Sequence, residues 1–183
     1  MKALDNILNR NSARLLKGPA PSKDEMRIIY QAALRAPDHA WLRPSSFIEV
    51  REAGLKKLSN IFEKYADTIP DITVEVKNKY KNAPFRAPMI VILVNSFKEH
   101  PKVPAIEQKL STAAAAQNLM LALSAMNYSA IWRTGKLAFN PNVARHLGLS
   151  EDQEILGYIY IGTSDGKSKK IPDMDIDKFV TNL

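Results

Sequence analysis

Between Lys109 and Arg133 the chain carries no charged residue. From Ala113 to Met126 it is rich in Ala, Leu, Met and Gln, all strong helix formers. Apolar side chains fall on every face of that helix, which predicts a long element with no wet side, buried at the centre of the molecule. Asn127 predicts its stop, because Asn tolerates the left-handed conformation that ends many helices. Tyr128 to Arg133 then reads as a short strand running out at Thr134 and Gly135. Ser111, Thr112, Gln117, Asn118, Ser124, Asn127 and Ser129 make the stretch too polar for hydrocarbon, so no membrane span is expected.

The same patterns parse the rest of the chain. Met89 to Val94 is a continuous apolar run bounded by Pro88 and Asn95, as expected of a strand buried on both faces. Ile155 to Ile161 is a second such core strand, and Phe47 to Arg51 alternates like a third. Ala3 to Asn9 predicts a short helix. Ser22 and Glu25 form a capping-box pattern that opens a second one, with Met26, Ile29 and Ala33 on its inner stripe. That helix must stop near Arg35, since Pro37 disfavours helical geometry at Ala36. Leu55, Leu58, Phe62 and Tyr65 step at helical spacing. Asp71 to Asn82 predicts a basic, mostly exposed helix. Asn140-Pro141 opens a short helix that Gly148 closes. The tail from Lys167 is polar and returns to strand-like composition at Phe179, Val180 and Thr181. Strands and helices mix without any repeat, so the expected class is α+β, a sheet packed on a long buried helix. Residues 1–183 are expected to form one domain.

Composition then removes several kinds of chemistry. Without cysteine the chain has no disulfide, thiolate metal site or cysteine nucleophile. His39, His100 and His146 lack metal-ligand spacing, so no metal is expected. There is no Gly-x-Gly-x-x-Gly, no Walker-type phosphate loop and no Gly-x-Ser-x-Gly elbow. The N-terminus has no apolar core of signal-peptide length, and a cytoplasmic location is the expectation. The net charge of +7 favours anionic partners. Lys77, Lys79, Lys81 and Arg86 have only Tyr80 among them as an aromatic, which reads as a solvated face and not a nucleic-acid surface.

Three short segments remain. Arg10-Asn11-Ser12 follows the first helix and is either a solvated helix end or a cationic ligand grip. Arg35 to His39 is either a plain helix stop or a charged binding loop. Trp132-Arg133-Thr134 ends a core strand. It is either a packed Trp beside a surface Arg or a set able to hold a planar, phosphorylated ligand.

With Asn82-Ala-Pro-Phe-Arg-Ala-Pro88, Lys102-Val-Pro104, Glu107-Gln108, Ile131-Trp-Arg-Thr-Gly135 and Gly157-Tyr-Ile-Tyr-Ile-Gly-Thr163, these segments run in order over nearly the whole chain. The ordered set resembles the flavin-dependent nitroreductase family, specifically its compact subgroup of NAD(P)H nitroreductases. The resemblance implies an α+β nitroreductase-like fold, with a central mixed or antiparallel sheet flanked by helices. It also implies a homodimer with FMN at the subunit interface, and a C-terminal tail that crosses to the partner. The implied activity is hydride transfer from NAD(P)H to nitroaromatics, quinones or similar acceptors by a ping-pong mechanism. A flavin-binding storage or sensor protein without turnover is the alternative. By the same resemblance the FMN-binding residues are Arg10, Asn11, Ser12, Arg35, His39, Trp132, Arg133 and Thr134, and no catalytic acid or base is assigned. Relatives sometimes place the nicotinamide nucleotide on the stretch matching Leu121 to Met126. A buried apolar helix suits a charged ligand poorly, so those residues are left out.

Two departures from the family pattern are visible. Arg43-Pro44-Ser45 stands where relatives have Gln-Pro-Trp, which implies a differently walled, more open acceptor side. The chain also ends Phe179-Val-Thr-Asn-Leu183, without the basic pair that larger relatives use for the flavin phosphate.

Overall fold

In the computed structural model, residues 2–164 and 169–183 are described. Strands β1 (Ser45–Arg51), β2 (Met89–Ser96), β3 (Ser129–Arg133) and β4 (Gln153–Gly162) form one sheet in the order β1-β2-β4-β3. All of its pairings are antiparallel, which settles the mixed-or-antiparallel expectation. β2 and β4 take the two central places because they carry the continuous apolar runs. Met89 to Asn95 is buried without interruption. Leu93 pairs with Gly157 and Val94 with Ile155, so Leu156 is an extra residue that bulges β4.

Helices cover both faces. On one, Met89, Val91, Leu93, Ile159 and Ile161 pack beneath α2 (Lys23–Ala33) and α5 (Ala105–Ala125). On the other, Ile90, Ile92, Tyr158 and Tyr160 pack with α3 (Ala53–Ala66), and the Phe62 ring meets Tyr158 edge-on at 5.4 Å. α6 (Lys136–Phe139) and α7 (Pro141–His146) add Ala138 and Val143 to that second face, while α1 (Ala3–Asn9) and α4 (Val74–Lys81) lie outside the core. No residue of α4 is buried, as its charge pattern predicts. Both halves of the α2 capping box are made: Ser22 N–H donates to Glu25 Oε2 at 2.7 Å and Glu25 N–H to Ser22 Oγ at 3.2 Å.

α5 corrects one expectation. It begins at Ala105, ahead of the charge-free run, and it has an open side. Ile106 and Leu110 are 58% and 60% exposed, while Ala116, Leu119 and Leu123 are fully buried. The sheet and α2 cover only part of its circumference, so apolar residues on every face do not guarantee burial on every face. Its end is as expected: Asn127 stands at φ 62° and Tyr128 N–H reaches back to the Leu123 carbonyl at 2.9 Å.

The tail is expected to find its sheet edge on a partner chain. Phe179 to Thr181 is no strand; a helical turn, Ile176–Lys178, precedes it, and Phe179 is 68% exposed. A short apolar segment becomes a strand only where a sheet edge receives it. Lys167 and Ser168, at the start of the predicted tail, lie outside the described residues. Among the described residues no helix is long and apolar enough to cross a membrane.

Candidate functional site

α1 is tied to the C-terminal end of α5 by Asn6 Nδ2, which donates to the Leu121 carbonyl at 2.8 Å. The chain leaves α1 in extended conformation at Arg10. Ala13 N–H then bonds the Ala130 carbonyl at 3.2 Å, laying this segment along the outer edge of β3. Arg10, Asn11 and Ser12 therefore line a cavity of about 610 Å³, together with Ser124 at the end of α5 and Ser129 at the start of β3. At the far end of β3 the Arg133 guanidinium lies 5.4 Å from the centre of the Tyr160 ring. Burial raises the Tyr160 pKa, against the opposing pull of Arg86 and Arg133.

Arg10 Nη1 and Arg133 Nε are buried, with no hydrogen-bond partner among the described residues. An unpaired buried donor costs about 1–3 kcal/mol, more when charged, so each nitrogen is short of an acceptor. An anionic or carbonyl-rich ligand beside β3 would supply one, and on this test the residues present fit a phosphorylated cofactor. Asn6 Oδ1 and Arg51 Nη2 are also unpaired, and Arg51 sits on β1, at the opposite edge of the sheet from β3.

The remaining predicted residues are placed differently. Trp132 does not join Arg133. Strand alternation turns it to the α2–α5 face, where its Nε1–H donates to the Leu156 carbonyl at 3.3 Å and its ring lies over Gly157. The expected aromatic–cation–hydroxyl grouping is thus broken up, and Trp132 serves as an anchor for β3. Thr134 follows at the exposed strand end, lining a smaller cavity with Arg133.

Arg35 and His39 lie at the other end of α5. Ser111 Oγ donates to the Pro37 carbonyl at 2.7 Å, and His39 Nδ1 is 2.7 Å from Glu107 Oε2. Ser111 and Leu121, the tie points of the two groups, are ten residues apart on the helix, roughly 15 Å of rise. One chain therefore does not gather all the predicted residues. Ser45, where relatives have Trp, turns its Oγ to donate to Thr112 Oγ1 at 3.1 Å.

Two cations were not singled out from sequence. Arg14 lines both the Arg10 cavity and the neighbouring one at Arg133. Its signal was available, since it stands one helical or two strand steps beyond Arg10 in a cationic segment. Lys169 lines the Arg10 cavity. The chain end lacks a basic pair, as expected, but Lys169 and Lys170 stand earlier in the tail, and only the fold brings Lys169 back to Arg10. Among the described residues no group of three or more His, Asp and Glu is placed to hold a metal ion.

A family model described as the nitroreductase family matches residues 7–163. YdjA of Escherichia coli strain K12, provisionally named an NAD(P)H nitroreductase, is 36% identical over 182 residues, 99% of this chain and 99% of that protein. A nitroreductase-like family protein from Bacillus cereus has a similar crystal structure, with a TM-score of 0.86 at 22% identity over 100% of this chain and 96% of that one. A nitroreductase with bound FMN from Bacteroides fragilis NCTC 9343 gives a TM-score of 0.76 at 20% identity over 100% of this chain and 99% of that one.

Proposed function

Because the chain belongs to the nitroreductase family, we propose that it is an FMN-dependent oxidoreductase. It takes hydride from NAD(P)H and delivers it to nitroaromatic, quinone or similar acceptors, donor and acceptor using one pocket in turn. The observation that carries this reading is the pair of buried, acceptor-less nitrogens of Arg10 and Arg133 flanking β3. FMN, when bound, supplies the two-electron chemistry that the side chains lack.

The chain's own residues bind and orient. Arg10, Asn11 and Ser12, with Lys169 in the same cavity, offer the fork, hydroxyl and ammonium donors that a phosphate accepts. Arg133 and Arg14 place cations at the second cavity, where they favour an electron-rich ring. Arg35, His39 and Thr134 complete the proposed set, with Trp132 contributing through the backbone it anchors.

The protein works as a cytoplasmic homodimer in this reading. The partner brings its Arg35 and His39 end to the Arg10 end of the first chain, since one chain keeps them apart. The exposed Ile106 and Leu110 of α5, Leu4 and Leu8 of α1, and Phe179 and Val180 of the tail supply apolar surface for such a contact. The tail crosses to the partner and finds there the sheet edge it lacks at home.

Titrating the apo-protein with FMN, then adding NADPH without oxygen, tests the reading. Binding at micromolar concentration or tighter, followed by bleaching of the flavin, is expected. No binding would sink the reading altogether. Binding without bleaching would leave a flavin carrier.

A further inference from the structure

The Arg133 end of β3 opens onto a basic groove that continues past the two cations assigned to the flavin, Arg14 and Arg133, to Arg86, Lys79 and Lys136. A cavity of about 490 Å³ and another of about 190 Å³ meet at Arg86 and Arg133, which line both. Arg14 lines the first; Lys79 and Lys136 line the second. No Asp or Glu lines either one. Among the described residues no ion pair or hydrogen bond engages the side chains of Arg14, Lys79, Arg86, Arg133 or Lys136. The contrast with the two lysines that flank Lys79 on α4 is informative. There Lys77 is paired with Asp67 and Lys81 with Glu63, so only the cation facing the groove is left open. These cations come from four separate stretches: the extended segment after α1, α4 with the turn Ala83–Arg86, the end of β3, and the start of α6. Mutual repulsion opposes such a gathering, and none of the local acids is spent on relieving it.

We propose that this groove is an oxyanion subsite, which holds the phosphate or carboxylate of a co-substrate beside the cofactor. It deepens the proposed function, on which its place next to FMN rests, by naming the substrate class: an anionic donor or acceptor. Arg86 is its centre, bordering both cavities, and the floor is the buried Tyr158 and Tyr160 pair. Both sources of the anion share one chemistry, and the charge of the co-substrate distinguishes them.

The test uses FMN-loaded protein, so that the flavin phosphate site is filled. Inorganic pyrophosphate is titrated calorimetrically into wild type and into Arg86→Gln/Lys136→Gln. The double variant should bind pyrophosphate at least about tenfold more weakly, as expected for losing two charged donors, with flavin content unchanged. Steady-state rates then separate the sources. A kcat/KM loss confined to NADPH, absent with the uncharged donor 1-methyl-1,4-dihydronicotinamide, assigns the groove to the donor's phosphates. A loss confined to 4-nitrobenzoate, absent with neutral 4-nitrobenzyl alcohol, assigns it to the acceptor. Unchanged pyrophosphate affinity, or equal losses with charged and neutral co-substrates, would overturn the subsite. If the protein takes no FMN, the proposed function falls, yet the dependence of pyrophosphate affinity on Arg86 and Lys136 still decides the groove.

Discussion

The two ends of α5 hold their polar side chains in opposite states of completion. At the N-terminal end everything buried is paired within the chain. Ser111 bonds the Pro37 carbonyl, and Gln108 satisfies both the N–H and the carbonyl of Lys98. Thr112 bridges Ser45 and Asn95, and Asn95 passes the chain of bonds on to Glu154. At the C-terminal end Arg10 keeps a buried nitrogen with no acceptor among the described residues, and Arg133 does the same further along β3. Burial without pairing destabilises, so a pair of such groups beside one cavity-bearing strand favours a partner that arrives from outside. One end of the helix is finished by the chain itself, and the other is the socket of the proposed function. Arg35 and His39 are exposed on the finished end, with His39 held against Glu107 at 2.7 Å.

The largest test strikes the strand that carries the socket. A Cβ at Gly157 would overlap Trp132 Nε1 and lie 2.9 Å from the Arg133 carbonyl, at a residue whose φ is 149°. Gly157→Ala should therefore cost about 3 kcal/mol through overpacking and strain, read as a lower urea midpoint at unchanged m-value. It should also displace Arg133 and strip flavin while leaving the His39–Glu107 pair intact. A variant of wild-type stability would mean that β3 is not braced in this way.

Subunit exchange sharpens the comparison itself. Arg10→Ala should weaken FMN by about 2 kcal/mol, with Arg10→Lys recovering part because the fork is lost. Arg35→Ala should also weaken it, by less, since an exposed cation is screened. If the two ends meet only across a dimer, a hybrid of one Arg10→Ala and one Arg35→Ala subunit contains one intact site. Flavin titration of purified hybrids should then recover half the wild-type stoichiometry. Hybrids that recover none would place both groups in the same chain's site.

The smallest effect is on pH dependence, at the floor of the Arg133 cavity. Burial drives the Tyr158 pKa far above its ordinary value of 10.0, and raises that of Tyr160 as well. A folded pKa above the unfolded one means that the folded state holds its proton more tightly. Stability from these groups is complete below pH 10 and is lost as pH rises beyond it. Tyr158→Phe should flatten that alkaline loss, while forfeiting the 2.8 Å bond to the Leu137 carbonyl at neutral pH. Denaturation curves from pH 8 to 11 check it; an unchanged slope would show that Tyr158 ionises as freely folded as unfolded.

Much of the framework was legible beforehand because it depends on local rules. Met89 to Val94 had to be a central strand, since an unbroken apolar run suits only a position covered on both sides. Ser22 with Glu25, Asn127, and Gly148 at φ 80° mark helix ends by conformations or side-chain bonds that few other residues supply. Arg10 and Ser12 were legible as a grip only through the ordered family segments, because a cationic helix end alone has a plain alternative. Which faces meet was less legible, although the inner stripe of α2, Met26, Ile29 and Ala33, packs as expected. The apolar faces of α5 outnumber the layers available to cover them. Trp132 and Arg133 are neighbours in sequence and opposites in space, because a strand alternates its side chains. Phe179 and Val180 have strand composition but no edge within their chain. Lys169 reaches Arg10 across most of the sequence. Element type follows from residues a few positions apart, whose geometry the backbone sets directly. The site follows from residues brought together by packing, and packing is decided by which surfaces are left once the sheet and its two helical layers are in place.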